Sequence, residues 1–352
     1  MSITYSESGV DIDAYEQAKD EFAKIIKSSN AESPYADCVV AGLGSFGAVF
    51  DTKKAAGVLG YKNYADVESI DSVGTKVKLA AMSGDFSQVG LDMIGHSTGD
   101  VLAQGAIPVV FGDYIAVPKV WPKMIVSLVE SLASGCRTSG MILHFGEVAE
   151  LPGVYTSGEF DLVGTIRGIV DLDNLITGQS IVPGDVLIGV ASSGLHTNGF
   201  SLVNKLFFEI KKYKLSDRIA DFGKTLGEEL MTPHRNYTAS LREIFPKKII
   251  KGIAHITGGG LPGNIIRILP ENTKARIKLG TWEILPIFNV LEKVGQIAAE
   301  EMRRTFNMGL GMVLACSPEN IDTIRAVFNK HQIKTFEIGE VSIGKKAVEF
   351  VS

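Results

Sequence analysis

Apolar positions along this chain follow two rhythms, one of helical spacing and one of short unbroken runs. Within residues 84–104, Val89, Met93, Ile94, Val101 and Leu102 recur at helical intervals and predict a helix with one buried side. Trp121-Pro122 opens a second helix, since proline suits the first helical position, with Met124, Ile125, Leu128, Leu132 and Cys136 as its apolar stripe. Apolar runs at 108–117 and 140–145 follow these helices. Each is short and bounded by Gly or Pro, which predicts buried strands, and 160–170 adds a third of mixed alternation. The first half therefore reads as α/β. A turn-rich segment at 171–185, with Gly178 and Pro183-Gly184, separates it from a new strand at 186–191. A boundary near Asp171 is expected, giving domains of residues 1–171 and 172–352. The second half repeats the style, with a helix at 200–213, one opening at Pro262 or just after it, and one opening at Pro286 with Ile287, Leu291, Val294 and Ala298 on one side. A strand at 311–316 leads to a helix capped by Ser317 with Pro318 at its first position, and a last strand is expected near 336–341.

Composition narrows the class. A chain of 352 residues, 45% apolar and 21% charged, can bury a large core and suits two domains. Its formal net charge of −5 gives no broad cationic field, so neither nucleic acid nor an anionic membrane is an expected partner. The longest apolar stretch is interrupted by Gly112 and Asp113, far short of the ~20 residues that span a bilayer. The first residues have neither a basic start nor an apolar run, so no secretory signal is expected and the cytoplasm is the expected compartment. Cys38, Cys136 and Cys316 are odd in number, far apart and without a C-x-x-C pair, and read as buried thiols. The 38 glycines, about 11% of the chain against a usual ~7%, come in clusters, which points to backbone loops that approach something closely.

Six clusters carry candidate chemistry. Gly42-Leu43-Gly44-Ser45-Phe46-Gly47 could close backbone N–H groups around phosphate oxygens, or be a plain glycine-rich turn; its spacing fits neither a Walker loop nor a dinucleotide fingerprint. Ile70-Asp71-Ser72-Val73-Gly74-Thr75-Lys76 sets an acid, a tight turn and a base within a few residues, which suits a carboxylate holding Mg²⁺ beside a lysine facing phosphate; a surface turn with a solvated lysine is the alternative. Asp92, His96 and Asp100 stand four residues apart and so share one face of the first predicted helix, where two carboxylates can converge on one cation or simply be solvated. Apolar residues surround that stripe, and a polar stripe in such company needs a partner. Glu147 and Glu150 follow a predicted buried strand, where loop residues commonly meet ligands, or are simply solvated. The segments 192–199 and 255–260 each follow an apolar run and offer hydroxyls, an imidazole and free N–H groups, a cradle for a ribose phosphate or a reacting amide, although His196 and His255 could equally be structural.

Taken in order, these segments resemble the phosphoribosylformylglycinamidine cyclo-ligase family, the aminoimidazole ribonucleotide synthetases. The resemblance spans nearly the whole chain, from Tyr5-Ser6-Glu7-Ser8-Gly9-Val10-Asp11-Ile12-Asp13 through Thr232-Pro233-His234-Arg235-Asn236-Tyr237 to Arg304-Thr305-Phe306-Asn307-Met308-Gly309. It implies a two-domain α/β fold of that type, whose N-terminal domains pair across a homodimer into a barrel-like sheet with ATP bound near the interface. It implies ATP-driven phosphorylation of the substrate's formamide oxygen, followed by closure of the ring by the amidine nitrogen. On this resemblance Asp71 and Asp100 would hold Mg²⁺ with Asp92 nearby. Lys76, the loop of Gly44, Ser45, Phe46 and Gly47, and Glu147 would serve the nucleotide. His196, Asn198 and Thr257 would line the substrate site.

The chain departs from the family pattern in places. Ile70-Asp71-Ser72 stands for a usual Thr-Asp-Gly, Gly99 for an Asn, and Phe145 and Val148 for a Gly and a Thr around Glu147. Selenophosphate synthetase, thiamine phosphate kinase, a hydrogenase maturation factor and formylglycinamidine ribonucleotide synthetase resemble the same scaffold. The sequence shows no reactive Cys-Lys pair or cysteine tail, and a long extra domain is not expected, which argues against each of these rivals. A non-catalytic nucleotide-binding dimer is a further alternative, suggested by Ser72, Gly99 and Phe145 and opposed by retention of Asp71, Asp100 and Lys76.

Overall fold

The structure, a computed structural model, describes residues 12–352, so Tyr5 to Asp11 of the N-terminal motif lie outside the described residues. The backbone forms two compact units, one of residues up to 101 with 107–171, the other of 102–106 with 172–352. Among the described residues no helix is long and apolar enough to cross a membrane.

The first unit runs α1 (Ile12–Ala31), β1 (Val39–Ala41), β2 (Val49–Phe50), α2 (Thr52–Leu59), β3 (Tyr64–Ser72), α3 (Val77–Ser83), α4 (Val89–Leu102), β4 (Ile107–Val117), α5 (Pro122–Ser139), β5 (Ile142–Glu150) and β6 (Asp161–Asp171). β3, β6, β4 and β5 form one sheet in that order, antiparallel except for the β4–β5 pair. That parallel pair needs a crossover, which α5 supplies. Met124, Ile125, Leu128, Leu132 and Cys136 of α5 are all buried, as their spacing predicts, and the helix ends at Gly140 in the left-handed region, φ +72°. α1 is tied down by side-chain bonds: Ser29 Oγ donates to the Ala133 carbonyl at 2.9 Å. The Asn30 amide donates to the Leu143 carbonyl at 2.8 Å and accepts from its N–H at 2.9 Å, satisfying a strand residue as a neighbouring strand would. α4 approaches α5 so closely that a Cβ at Gly90 would lie 2.3 Å from Ser131 Oγ and from the Leu132 nitrogen; only glycine fits there.

The second unit continues with β7 (Val186–Ala191), α6 (Phe200–Asn204), β8 (Arg218–Ile219), β9 (Lys224–Thr225), α7 (Leu226–Leu230), α8 (Thr238–Ile244), β10 (Ile250–His255), α9 (Gly260–Ile268), β11 (Thr273–Lys278), α10 (Pro286–Gly295), α11 (Ala299–Thr305), β12 (Leu310–Cys316), α12 (Ile321–Lys330), β13 (Thr335–Ile343) and β14 (Ala347–Val351). Its sheet order is β10-β12-β7-β13-β11-β14, antiparallel except for the terminal β11–β14 pair. All seven residues of β12 are buried, which is why its sequence is an unbroken apolar run. The three cysteines are buried and free, as read from their spacing.

Several expectations are corrected. The helix expected at 200–213 becomes a π-helical turn after Asn204, and α9 starts at Gly260, two residues before Pro262, whose missing N–H falls in a first turn that needs none. Ser317 makes no side-chain cap; a short 3₁₀ turn, Pro318–Asn320, precedes α12. The last strand is β14, not β13. Asp71 lies within β3 rather than in a tight turn, and Glu147 lies within β5 rather than in a loop, because β4 carries its ladder of partners on to Glu150.

Candidate active site

In the first unit, α4 meets β3 and the turn that follows it. The turn Gly74–Lys76 is made possible by Gly74 at φ +69°, and it feeds directly into α3. The three polar positions of α4 each take a partner from this segment. Lys76 Nζ donates to Asp92 Oδ1 at 2.7 Å, His96 Nε2 stands 3.4 Å from Asp71 Oδ2, and Ser69 Oγ donates to Asp100 Oδ2 at 3.0 Å. One ligand atom each from Asp71, His96 and Asp100 lies within 4.8 Å of the others, a cluster that could hold a cation. The stripe read from four-residue spacing therefore forms one polar seam.

Lys76, expected to face ATP, and Asp92, expected near the Mg²⁺ acids, pair with each other in the interior. Their side chains are only 2% and 1% exposed and face each other, so Lys76 points into the protein rather than toward a phosphate. Burial pulls its ammonium below the ordinary lysine range, opposed by Asp92. The open groove beside them, of about 640 Å³, is instead lined by Ser72, Gly74, Thr75 and the exposed Lys78 on one side, and Glu159 and Asp161 on the other. Lys78 is the accessible cation that the sequence reading missed, two residues along the same segment.

The Gly42–Gly47 loop joins β1 to β2 and stands in solvent, with Phe46 fully exposed and Gly44 at φ +91°. Its stem, Ala48 and Phe50, shares a second groove of about 480 Å³ with Ser69, Ile70, Phe145 and Arg167. Glu147 is exposed on β5, opposite Tyr114 of β4, and lines neither groove.

In the second unit three histidines from distant segments converge. His196, in the loop after β7, stacks on His234 with ring centroids 3.9 Å apart. His234 Nε2 lies 3.3 Å from His255 Nε2, at the end of β10, and His234 Nδ1 lies 3.3 Å from Thr197 Oγ1. The Ser193 N–H donates to His196 Nε2 at 3.2 Å, which requires a lone pair there and so places the ring proton on Nδ1. His196 is held at φ +62°, and a Cβ at Gly311 would lie 2.5 Å from its Cε1 and 2.0 Å from the Tyr237 hydroxyl. His196, expected to line the substrate site or to be structural, is 1% exposed, stacked on His234 with Tyr237 beside it.

Asn198 and Thr257 remain half-buried, and a Cβ at Gly258 would come within 3.6 Å of Asn198 Oδ1, so their two loops meet. Two asparagines absent from the expected set hold these loops. The Asn264 amide donates to the Gly260 carbonyl at 2.8 Å, and the Asn307 amide donates to the Gly194 carbonyl at 2.9 Å while its oxygen accepts from the Gly309 N–H at 2.8 Å. The signal for Asn307 and His234 was present in the quoted motifs, without a role attached.

Comparison with known proteins bears on this arrangement. Residues 53–170 match the AIR synthase related protein N-terminal domain, and residues 182–352 match the AIR synthase related protein C-terminal domain. The chain is 41% identical over 352 residues to the phosphoribosylformylglycinamidine cyclo-ligase of Brevibacillus brevis, covering 99% of each protein. It is 42% identical over 346 residues to that of Carboxydothermus hydrogenoformans, covering 98% of each. Among solved structures, thiamine-monophosphate kinase from Stenotrophomonas maltophilia superposes with a TM-score of 0.68 at 12% identity over 94% of this chain and 95% of that one. The hydrogenase maturation protein HypE in complex with ATP superposes with a TM-score of 0.60 at 14% identity over 82% of each. At such identities the structures speak to the fold alone, whereas the full-length relatives and both domain matches speak to the family: the chain belongs to the phosphoribosylformylglycinamidine cyclo-ligases, within the AIR synthase related proteins.

Proposed function

We propose that this protein is an ATP-dependent ligase that closes the imidazole ring of phosphoribosylformylglycinamidine to give aminoimidazole ribonucleotide in purine synthesis. The observation that carries this is identity near 40% along essentially the full length of several cyclo-ligases. ATP use is supported by HypE, of the same fold, whose structure is a complex with ATP.

In the first unit, Asp71 and Asp100 supply the oxygen donors that Mg²⁺ prefers, and such an ion would neutralise charge on the transferred phosphoryl group. Lys78, Ser72 and the turn at Gly74 take the phosphate-facing role expected of Lys76, since they line the open groove. The family resemblance adds the exposed loop of Gly44, Ser45, Phe46 and Gly47 and the exposed Glu147, which lie outside both grooves, as proposed nucleotide contacts of the same unit. In the second unit Asn198 and Thr257 present an amide and a hydroxyl to the substrate, while the stacked histidines hold the loop of Thr197 beneath them.

Residues 1–171 would then be the nucleotide-binding and dimerisation domain, and 172–352 the C-terminal α/β domain. A homodimer is supported by the first sheet, whose edge strands β3 and β5 each have one partner among the described residues and whose Ile70 and Phe145 are 67% and 44% exposed. The cytoplasm is the proposed compartment. The decisive experiment mixes purified protein, ATP and phosphoribosylformylglycinamidine, and expects ADP, phosphate and aminoimidazole ribonucleotide in equal amounts. ATP hydrolysis without ring closure would overturn the proposal, and nucleotide binding with neither reaction would favour a non-catalytic dimer.

A further inference from the structure

The cation seat proposed above contains a group that magnesium does not ask for. His96 is buried on the stripe between Asp92 and Asp100, and its Nε2 faces Asp71 Oδ2 at 3.4 Å across the α4–β3 contact. His96 and Asp100 are four residues apart on one helix, the spacing by which two side chains of one helical face commonly grip one metal ion. Asp71 approaches from the strand opposite. Ligands about 2.0–2.2 Å from a metal are at most about 4.4 Å from each other, so atoms already within 4.8 Å need only small side-chain rotations to share an ion.

The position of α4 is also well fixed, by the close contact at Gly90 and by the buried Lys76–Asp92 pair one turn away. That pair matters for charge as well. Lys76 donates to Asp92 at 2.7 Å, while Asp71 faces the imidazole at 3.4 Å and Asp100 accepts from the Ser69 hydroxyl at 3.0 Å.

The donor set decides which ion fits. Mg²⁺ takes oxygen ligands and keeps much of its water, so a buried imidazole adds little for it. First-row transition ions accept imidazole nitrogen beside carboxylate oxygen, and a mixed set of this kind discriminates in their favour. We propose that Asp71, His96 and Asp100 form a three-ligand site for a divalent first-row transition ion, in which His96 supplies a nitrogen ligand and the site prefers Mn²⁺ to Mg²⁺. The inference rests on the reading that Asp71 and Asp100 hold the cation of the ring-closing reaction, and deepens it by naming the ion's class and its third ligand.

The test uses the full-length metal-free protein without nucleotide, titrated with Mn²⁺ and followed by electron paramagnetic resonance. One Mn²⁺ per chain should bind and resist displacement by Mg²⁺ in excess. Spin-echo modulation should show a directly bound ¹⁴N, replaced by ¹⁵N coupling when the protein is grown with ¹⁵N-histidine. His96→Gln should abolish the nitrogen coupling and weaken Mn²⁺ by at least about tenfold, the smallest loss seen when even an outer-shell partner of a metal is removed. Asp71→Asn should weaken Mn²⁺ while keeping the nitrogen coupling.

Absence of Mn²⁺ binding, binding without nitrogen coupling, or an unchanged Mn²⁺ affinity in a folded His96→Gln protein would each overturn the inference. The labelled wild-type spectrum decides it even if the variant fails to fold. Ring closure with Mg·ATP, measured on the same preparation, separates the two readings. Turnover without nitrogen ligation sinks only the metal assignment, and nitrogen ligation without turnover sinks the reaction and leaves the site.

Discussion

Two lysine–carboxylate pairs in this protein have the same length and opposite surroundings. Lys76 and Asp92 meet at 2.7 Å with side chains 2% and 1% exposed, while Lys334 and Glu283 meet at 2.7 Å with side chains 70% and 56% exposed. Distance alone would give them equal weight. Desolvation makes the difference, because removing one partner of a buried pair strands a charge out of water and costs about 3–5 kcal/mol, whereas an exposed pair contributes about 0–1 kcal/mol. Lys76→Met leaves the Asp92 carboxylate buried without its ammonium, and should lower stability by about 3–5 kcal/mol, out of the roughly 5–15 kcal/mol of a typical domain. For a domain of roughly 150–250 residues that is a fall of about 6–20 °C in melting temperature. Lys334→Met should move it by less than about 4 °C. The double variant Lys76→Met/Asp92→Leu removes both charges and should recover most of the loss, since apolar groups of similar volume replace buried ion pairs at little cost. Thermal and urea unfolding followed by circular dichroism would measure all three. A Lys76→Met protein no less stable than Lys334→Met, or a double variant worse than the single, would refute the placement of this pair in the interior.

Three other outcomes are expected. Burial raises the Asp113 carboxyl to about 7, so between about pH 4 and 7 the unfolded chain has lost a proton that the folded chain keeps, and this group's contribution to stability falls as pH rises through that window. Asp113→Asn should flatten the fall and stabilise the protein at pH 8, by at most about 4 kcal/mol because the side chain keeps some solvent contact; equal pH dependence in urea melts of both proteins would count against it. Gly311→Ala forces a methyl against the Tyr237 hydroxyl and His196, and should cost about 1–3 kcal/mol while shifting the histidine resonances in NMR spectra. Unchanged spectra would show that the cluster is not packed against β12. Asp100→Asn and Asp71→Asn should each weaken Mg·ATP binding in calorimetry with the fold intact, and together lose less than the sum, because both act on one cation; wild-type affinity in either folded variant removes that residue from the site.

Much of the architecture is local enough to be written in spacing. The buried stripe of α5 and the common face of Asp92, His96 and Asp100 follow from the helical period, and β4, β7 and β12 from short apolar runs. Elements whose apolar content depends on what covers them were not legible. β3 alternates half-buried and exposed positions, β11 keeps Lys274, Arg276 and Lys278 on its open face, and β5 continues through Glu147 only because β4 offers it a partner. The same limit governs the site. Glycine at 74 announces a turn, but whether Lys76 or Lys78 faces outward is set by the α4 helix, which brings Asp92 under one of them. His196, His234 and His255 are widely separated in the chain, and no period links them; only the fold, which brings two loops to the end of β10, makes them neighbours. Residue types and their order thus identified the family and its candidate groups. Which groups are paired in the interior and which remain open to a ligand was decided by long-range packing, where desolvation rather than sequence distance sets the energy.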